Sequence, residues 1–133
     1  MGTRVTQRVD VGDLADLADL AEAPPRAAIA FATDDGPTCL PVVMRRQADG
    51  ILVGADPGAL PSGGLPERAV LLVDDGRFWF ELRAVVWRGR LEPASAPPEG
   101  AAGEPGDGGL VWLRLVPRRV AAWDYGRLRE VPG

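Results

Sequence analysis

The chemistry open to this chain is narrowed first by two residue types that it lacks. The 133 residues contain no histidine, and all 15 basic residues are arginine, so lysine is absent too. Histidine acid–base catalysis, Ser-His-Asp triads, lysine Schiff bases and metals or haem held by imidazole are therefore excluded. Cys39 is the single cysteine, which excludes an intrachain disulfide and a CxxC metal or redox pair.

Two aspartate pairs resemble the carboxylate dyads that perform acid–base catalysis. Asp34-Asp35 and Asp74-Asp75 each stand immediately before a glycine. Aspartate in that position favours a tight turn, since it tolerates the turn backbone and bonds its own chain. We interpret both pairs as turn residues. The later oxygen ligands of an EF-hand loop are missing, and no Gly-x-Gly-x-x-Gly or Walker motif is present.

The segment 77–91 is predicted to be one long strand with a candidate anion-binding side chain. Alternation places two sets of residues on opposite faces. The set predicted to face the core is Phe78, Phe80, Leu82, Ala84 and Val86, and the opposite set is Trp79, Glu81, Arg83, Val85 and Trp87. Glu81 and Arg83 are either surface residues with cation–π support, or Arg83 lies in a slot between two indoles and receives an anionic ligand.

Pro41 and Cys39 mark an unusual stretch of the segment 38–46, which is predicted to be a strand. Proline cannot donate a hydrogen bond to a neighbouring strand, so Pro41 indicates an edge, a bulge or a stretch of backbone that faces something other than a strand. A lone cysteine in such a strand is more often a small apolar filler than a nucleophile. The aromatic pair Trp123 and Tyr125 follows the last strand, and it either seals the barrel end or forms a wall for a ligand or subunit.

The elements that would position these residues are mainly strands. The spacing of Leu14, Leu17, Ala18 and Ala21 predicts a helix over 13–23, ended by Pro24-Pro25. Strands are predicted at 27–33, 38–46, 51–55, 69–73, 77–91, 110–116 and 118–123. Three Asp-Gly pairs between apolar runs are strong hairpin signals. Successive antiparallel strands of this kind favour a meander that closes into a barrel.

Length and charge bound the remaining possibilities. A chain of this length is one domain, and a net charge of −4 with a pI near 4.8 argues against nucleic-acid or anionic-membrane partners. No signal peptide or membrane span is recognisable, so we expect a soluble cytoplasmic protein. The segments 56–66 and 93–109 are rich in proline and glycine, and the second predicts a flexible loop.

The order of the motifs resembles one known superfamily over residues 13–125. A helix precedes the Ala-rich strand 27–33, and Asp35-Gly36-Pro37 leads to Leu40-Pro41-Val42-Val43. The segments 49–53 and 68–73 follow, and Arg83 to Gly89 form an Arg-x5-Gly pattern. This order resembles the pyridoxamine 5′-phosphate oxidase-like, FMN-binding split-barrel superfamily in its small actinobacterial form. The resemblance implies a six- to seven-stranded antiparallel split β-barrel with one or two short helices.

The resemblance also implies where a cofactor would bind. Leu40, Pro41, Val42 and Val43 correspond to the strand beside the isoalloxazine ring. Val53, Gly54 and Ala55 correspond to the strand end that faces the ribityl phosphate, and Arg83 opens the Arg-x5-Gly strand. The family's Ser/Thr-x-Lys phosphate segment is replaced by residues 56–66, where Ser62, the Gly63-Gly64 backbone and Arg68 remain as phosphate donors.

The leading functional hypothesis is a flavin- or deazaflavin-dependent oxidoreductase acting on a small organic substrate. The resemblance implies FMN, or alternatively coenzyme F420, at the interface of a homodimer. The indoles of Trp79, Trp87, Trp112 and Trp123 exceed what one small core can bury, which also favours a dimer. The alternatives are a cofactor-free ligand-binding or interaction module, and a haem-handling protein with a tyrosine or cysteine ligand.

Overall fold

The computed structural model describes residues 8–9, 18–22, 24–47, 50–61, 63–78, 81–96, 98 and 109–124. One antiparallel sheet contains eight strands: β1 (Arg8–Val9), β2 (Arg26–Thr33), β3 (Gly36–Pro41), β4 (Val43–Gln47), β5 (Gly50–Ala55), β6 (Ala69–Asp75), β7 (Arg83–Pro93) and β8 (Val111–Asp124). One short α-helix, α1 (Ala18–Glu22), and a 3₁₀ turn (Pro57–Ala59) accompany it. The predicted mainly β fold with short helices is confirmed.

The sheet curls because its two ends are adjacent in the chain. The strand order is β3-β2-β6-β7-β8-β5-β4, with β1 paired to β8. The terminal strands β3 and β4 are separated by Val42 alone, and its N–H donates to the carbonyl of Ala27 at 3.0 Å. The sheet therefore forms a half-barrel, and the predicted strand 38–46 is two strands. Of the alternatives predicted for Pro41, the structure shows the edge, since Pro41 lies on the terminal strand β3.

The turn interpretation is confirmed for one aspartate pair and corrected for the other. Thr33 Oγ1 accepts from the N–H of Asp35 at 3.2 Å and donates to the carbonyl of Gly36, whose φ is 115°. Asp34 and Asp35 thus lie in the β2–β3 turn. Asp74 and Asp75 instead end strand β6, and their carboxylates bind arginine side chains. Turn propensity is a local property, so it does not reveal that Asp74 and Asp75 bind arginines from other parts of the chain.

The predicted faces of the segment 77–91 are inverted in the structure. Strand β7 begins at Arg83 rather than at position 77, and Phe78 is 56% exposed. Val85, Trp87 and Leu91 are buried, whereas the predicted core face with Ala84 and Val86 is only half-buried. The predicted faces were assigned by assuming that aromatic residues such as Phe78 point into the core. Phe78 precedes the strand, so the assignment was wrong. Trp79 and Phe80 lie outside the described residues.

The core fills the concave side of the half-barrel. It is formed mainly by Ile29, Phe31, Met44, Ile51, Val53, Leu71, Val73, Val85, Trp87, Leu113 and Leu115. Helix α1 adds Leu20, which is 2% exposed. The described helix ends at Glu22, just before the prolines that were predicted to stop it, while the earlier part of the predicted helix 13–23 lies outside the described residues.

A bulge joins the last two predicted strands into one. Strand β8 continues through Pro117, which pairs with Gly89, and Arg119 pairs with Arg88, so Arg118 is an extra residue. A Cβ on Gly89 would overlap the carbonyl oxygen of Val116, so only glycine permits this approach. The extra residue shifts the alternation of β8. Consequently Arg118 and Arg119 are both exposed although they are consecutive.

Most of the predicted flexible loop 93–109 lies outside the described residues, so its flexibility stays a prediction. At its start, the N–H of Ala94 donates to the carbonyl of Trp112 at 3.2 Å. No helix in the described part of the chain is long and apolar enough to cross a membrane.

Candidate functional site

An open cavity of about 610 Å³ lies against the β3–β2–β6–β7–β8 portion of the sheet. It is lined by Ala30, Phe31, Ala32, Pro37, Arg68, Ala69, Val70, Arg88, Gly89, Arg118 and Arg119. Ligand sites in proteins commonly enclose about 300–1,000 Å³. The cavity is therefore large enough for a cofactor or a small organic ligand.

Four arginines line this cavity, one just before β6, one on β7 and two on β8. Val70 pairs with Arg88 and Arg88 pairs with Arg119, so these residues form one row across β6, β7 and β8. Residues directly opposite in an antiparallel pair lie about 5 Å apart at Cα. Arg68 immediately precedes β6, and the bulge adds Arg118 beside Arg119. The fold thus concentrates positive charge that is dispersed over 52 positions of the sequence, from 68 to 119.

These four arginines are uncompensated within the described part of the chain. None of the described residues that line the cavity is a carboxylate, and none of the four guanidinium groups forms an ion pair with a described residue. Elsewhere Arg26 binds Asp74 at 3.0 Å, and Arg114 lies 3.9 Å from Glu92. Four like charges repel one another, and an anionic ligand would relieve that repulsion. The donor set fits phosphate or carboxylate groups, which arginine binds in bidentate geometry.

The opposite half of the cavity is apolar and composed of small side chains. Ala30 and Ala32 on β2, Pro37 on β3 and Val70 on β6 provide this surface. The cavity therefore changes from apolar over β2 and β3 to basic over β7 and β8. A flat ring with an attached anionic group matches this distribution of side chains.

Arg83, the predicted anion-binding residue, already has two carboxylate partners. Its Nε donates to Asp75 Oδ1 at 3.2 Å, and its Nη2 binds Asp19 Oδ2 at 3.0 Å as well as Asp75. The hydrogen bonds that Arg83 donates to Asp75 and Asp19 raise the pKa of Arg83, so it stays protonated. The residue ties helix α1 to the sheet and does not line the arginine cavity.

The contact between Asp19 and Arg83 predicts a loss of stability in acid. The Arg83 hydrogen bond holds the pKa of Asp19 below its ordinary value of 3.8. A carboxyl group with a lowered folded-state pKa stabilises the fold above its unfolded-state pKa, and this contribution disappears as the pH falls through the folded-state pKa. We expect the melting temperature of Asp19→Asn to fall less between pH 5 and about pH 3 than that of the wild type. Identical pH profiles from calorimetry would contradict this role.

The other predicted cofactor residues do not line the cavity. Leu40, Pro41, Val42 and Val43 are exposed or half-buried where β3 passes into β4, while Val53, Gly54 and Ala55 are buried. Arg68 is the single member of the predicted set, within the described residues, that the cavity contains.

The predicted phosphate segment has a local structure of its own. The indole of Trp112 covers Gly54, where an added Cβ would lie 2.8 Å from Cη2. Asp56 accepts the N–H of Gly58 at 3.0 Å and so caps the 3₁₀ turn. Ser62 lies outside the described residues. The segment 56–66 contains no basic residue, and the first arginine after it is Arg68.

Sequence reasoning missed Arg88, Arg118 and Arg119. Arg88 follows the buried Trp87, so the correct phase of β7 would have placed it outside the core. The segment Val116-Pro117-Arg118-Arg119-Val120 contains the bulge signal, a proline within an apolar run. The interpretation of Cys39 as a small apolar filler also fails, since this side chain is exposed on β3. No metal-binding cluster of three or more cysteine or carboxylate side chains occurs among the described residues.

Comparison with known proteins identifies the fold. No protein-family model and no curated protein sequence matches the chain. Among solved structures, the conserved hypothetical protein Rv2991 from Mycobacterium tuberculosis is 21% identical, with a TM-score of 0.62 and coverage of 90% of this chain and 88% of that chain. An FAD-binding protein from Mycobacterium smegmatis is 16% identical, with a TM-score of 0.59 and coverage of 90% and 97%.

A candidate pyridoxamine 5′-phosphate oxidase from Corynebacterium glutamicum is 16% identical, with a TM-score of 0.63 and the same coverage of 90% and 97%. At these identities the similarity lies in the fold. The chain has the split-barrel fold of pyridoxamine 5′-phosphate oxidase-like proteins, as its sequence predicted.

Proposed function

We propose that this protein is a homodimeric oxidoreductase that binds a flavin or deazaflavin and acts on a small organic substrate. The observation that carries the proposal is the arginine cavity, which has an apolar half and a basic half. The fold similarity supports it, since similar structures include a protein described as FAD-binding.

The donor set of the cavity fits such a cofactor. A flavin mononucleotide or F420 joins a flat ring system to phosphate, and F420 adds carboxylates. Arg68, Arg88, Arg118 and Arg119 would hold the anionic groups, and Ala30 and Ala32 would contact the ring. The absence of lysine and histidine does not weaken this assignment, because arginine meets phosphate with two parallel hydrogen bonds.

In such a protein the cofactor, when bound, supplies the hydride-transfer chemistry. The residues of this chain bind it, orient it and exclude water. Among the described residues no polar or charged side chain is buried, so none is assigned as a catalytic acid or base. We therefore place the contribution of the protein in binding and orienting the cofactor.

The proposed dimer rests on an apolar row across the outer face of the sheet. Pro41, Ala28, Leu72, Val86 and Ala121 are successive cross-strand partners on β3, β2, β6, β7 and β8. None is buried, and Leu72 is 38% exposed. Contiguous exposed apolar surface often marks an interface, and a second copy would cover this row symmetrically. The row adjoins the cavity, which a dimer would partly enclose.

A charge on this row should separate the dimer. In a symmetric interface Leu72→Glu introduces two carboxylates into an apolar contact, and burying them unpaired is costly. We expect the dimer dissociation constant to rise about a hundredfold or more, measured by analytical ultracentrifugation. Ala59→Glu, on the exposed 3₁₀ turn, is the matched control. A wild-type protein that stays monomeric at micromolar concentration would refute the dimer.

The cofactor proposal is tested by titrating the purified protein with FMN, FAD and F420 while following tryptophan fluorescence. Saturation at micromolar ligand supports it. No binding of any of the three would favour the cofactor-free module. The specific observation behind that alternative is the capped 3₁₀ turn at Asp56, which occupies the place where the family's phosphate segment is expected.

A further inference from the structure

We propose that the arginine cavity selects a flavin-type ligand with two or more linked anionic groups over the monophosphate FMN. This inference rests on the proposed function and specifies the ligand class. Two ligands share the required chemistry. FAD carries a diphosphate, and F420 carries a phosphodiester with glutamate carboxylates.

The first argument is the distribution of the charges. The four arginines come from the lead-in to β6, from β7 and from β8. Neighbouring strands lie about 4.8 Å apart, so the basic region extends over two strand spacings, or roughly 10 Å. This region is broader than a single phosphate group. A linked pair of anionic groups can contact arginines at both of its ends.

The second argument is the number of charges. A phosphate monoester carries about two negative charges, which Arg88 and Arg119 on one cross-strand pair can neutralise. Arg68 and Arg118 then have no counterion among the described residues. In a chain of net charge −4, a cavity with two further positive charges and no carboxylate among its described lining residues fits F420, whose phosphodiester and carboxylates carry more negative charge than FMN. The diphosphate of FAD carries two negative charges, as the FMN phosphate does, so FAD is favoured over FMN by its span and not by its charge.

The third argument is that the bulge has a specific effect on the site. Without an extra residue, alternation would send one of two consecutive side chains toward the core. The bulge at Gly89 and Pro117 instead leaves both Arg118 and Arg119 in the cavity lining. The irregular pairing of β7 and β8 thus places one further positive charge, that of Arg118, in the cavity.

The test compares FMN, FAD and F420 binding to the full chain, each measured by isothermal titration calorimetry in one buffer. FAD or F420 should bind at least tenfold more tightly than FMN. Arg118→Ala should weaken the preferred ligand about ten- to a hundredfold and FMN less than threefold. Arg46→Ala is the matched control, since Arg46 is exposed on β4 and does not line the cavity.

The outcomes separate this inference from the proposed function. FMN binding as tight as that of both other ligands would overturn the selection for linked anions and leave flavin binding intact. Should no flavin bind while inorganic pyrophosphate still binds more tightly than phosphate and depends on Arg118, the proposed function fails and the polyanion site stands. If neither flavins nor pyrophosphate bind, both proposals are wrong.

Discussion

The double variant Arg88→Ala/Arg119→Ala should weaken flavin binding by about 10²- to 10⁴-fold. These residues are direct cross-strand partners that line one cavity, and neither has a carboxylate partner among the described residues. Each charge-assisted hydrogen bond lost from a phosphate costs about 1.5–3 kcal/mol. Two such losses at one ligand give the expected factor.

Fluorescence titration of the double variant measures this loss, and thermal unfolding checks its fold. Both arginines are exposed, so the melting temperature should change little. The control variant Arg46→Ala should bind like the wild type. Unchanged flavin affinity in the double variant would mean that the ligand binds elsewhere on the molecule.

Gly89→Ala should be the most destabilising small substitution in the described sheet. The new methyl group would overlap the carbonyl oxygen of Val116 and lie 3.0 Å from Cα of Pro117, and both obstacles are backbone atoms. Overpacking of this kind typically costs 1–3 kcal/mol, and backbone that cannot move aside favours the upper end. We expect a loss of about 3 kcal/mol, or roughly 10 °C in melting temperature for a domain of this size.

Calorimetry of Gly89→Ala beside Gly63→Ala provides the comparison. A Cβ on Gly63 would meet no atom within 4 Å, so that variant should unfold close to the wild-type temperature. Equal melting temperatures for both variants would contradict the close approach of β7 and β8 at the bulge. Gly89→Ala should also weaken flavin binding, because the bulge positions Arg118.

Much of the fold was accessible from local sequence signals. The Asp-Gly turn at Gly36 and the helix stop before Pro24 are fixed by backbone preferences of single residues, and both occur where predicted. The break at Pro41 follows from the missing N–H of proline. Local sequence signals do not reveal that β3 and β4 lie at opposite ends of the sheet, because strand pairing depends on residues that are far apart in the chain.

The faces of β7 and the continuity of β8 were not accessible in the same way. Phe78 is apolar but exposed, so its position suggested the wrong phase for the strand that begins at Arg83. Pro117 predicts a strand end, although the bulge opposite Gly89 accommodates it within β8. In both places the deciding contact comes from another strand.

The candidate site was the least predictable part. Its arginines are neighbours only after β6, β7 and β8 pair, and Arg88 was obscured by the inverted phase of β7. The aromatic residues around Arg83 in the sequence suggest an anion-binding side chain, yet Arg83 forms ion pairs with Asp19 and Asp75. Charges that pair within the fold cannot be told from free ones before the fold is known.

A crystal structure of the protein grown with the flavin or deazaflavin that binds most tightly tests the central claim most directly. The account predicts anionic groups of the ligand within hydrogen-bond distance of Arg88, Arg118 or Arg119, and its ring against Ala30 and Ala32. A ligand whose phosphate instead lies at the β5 strand end beside Gly54, or against Arg83, would contradict it.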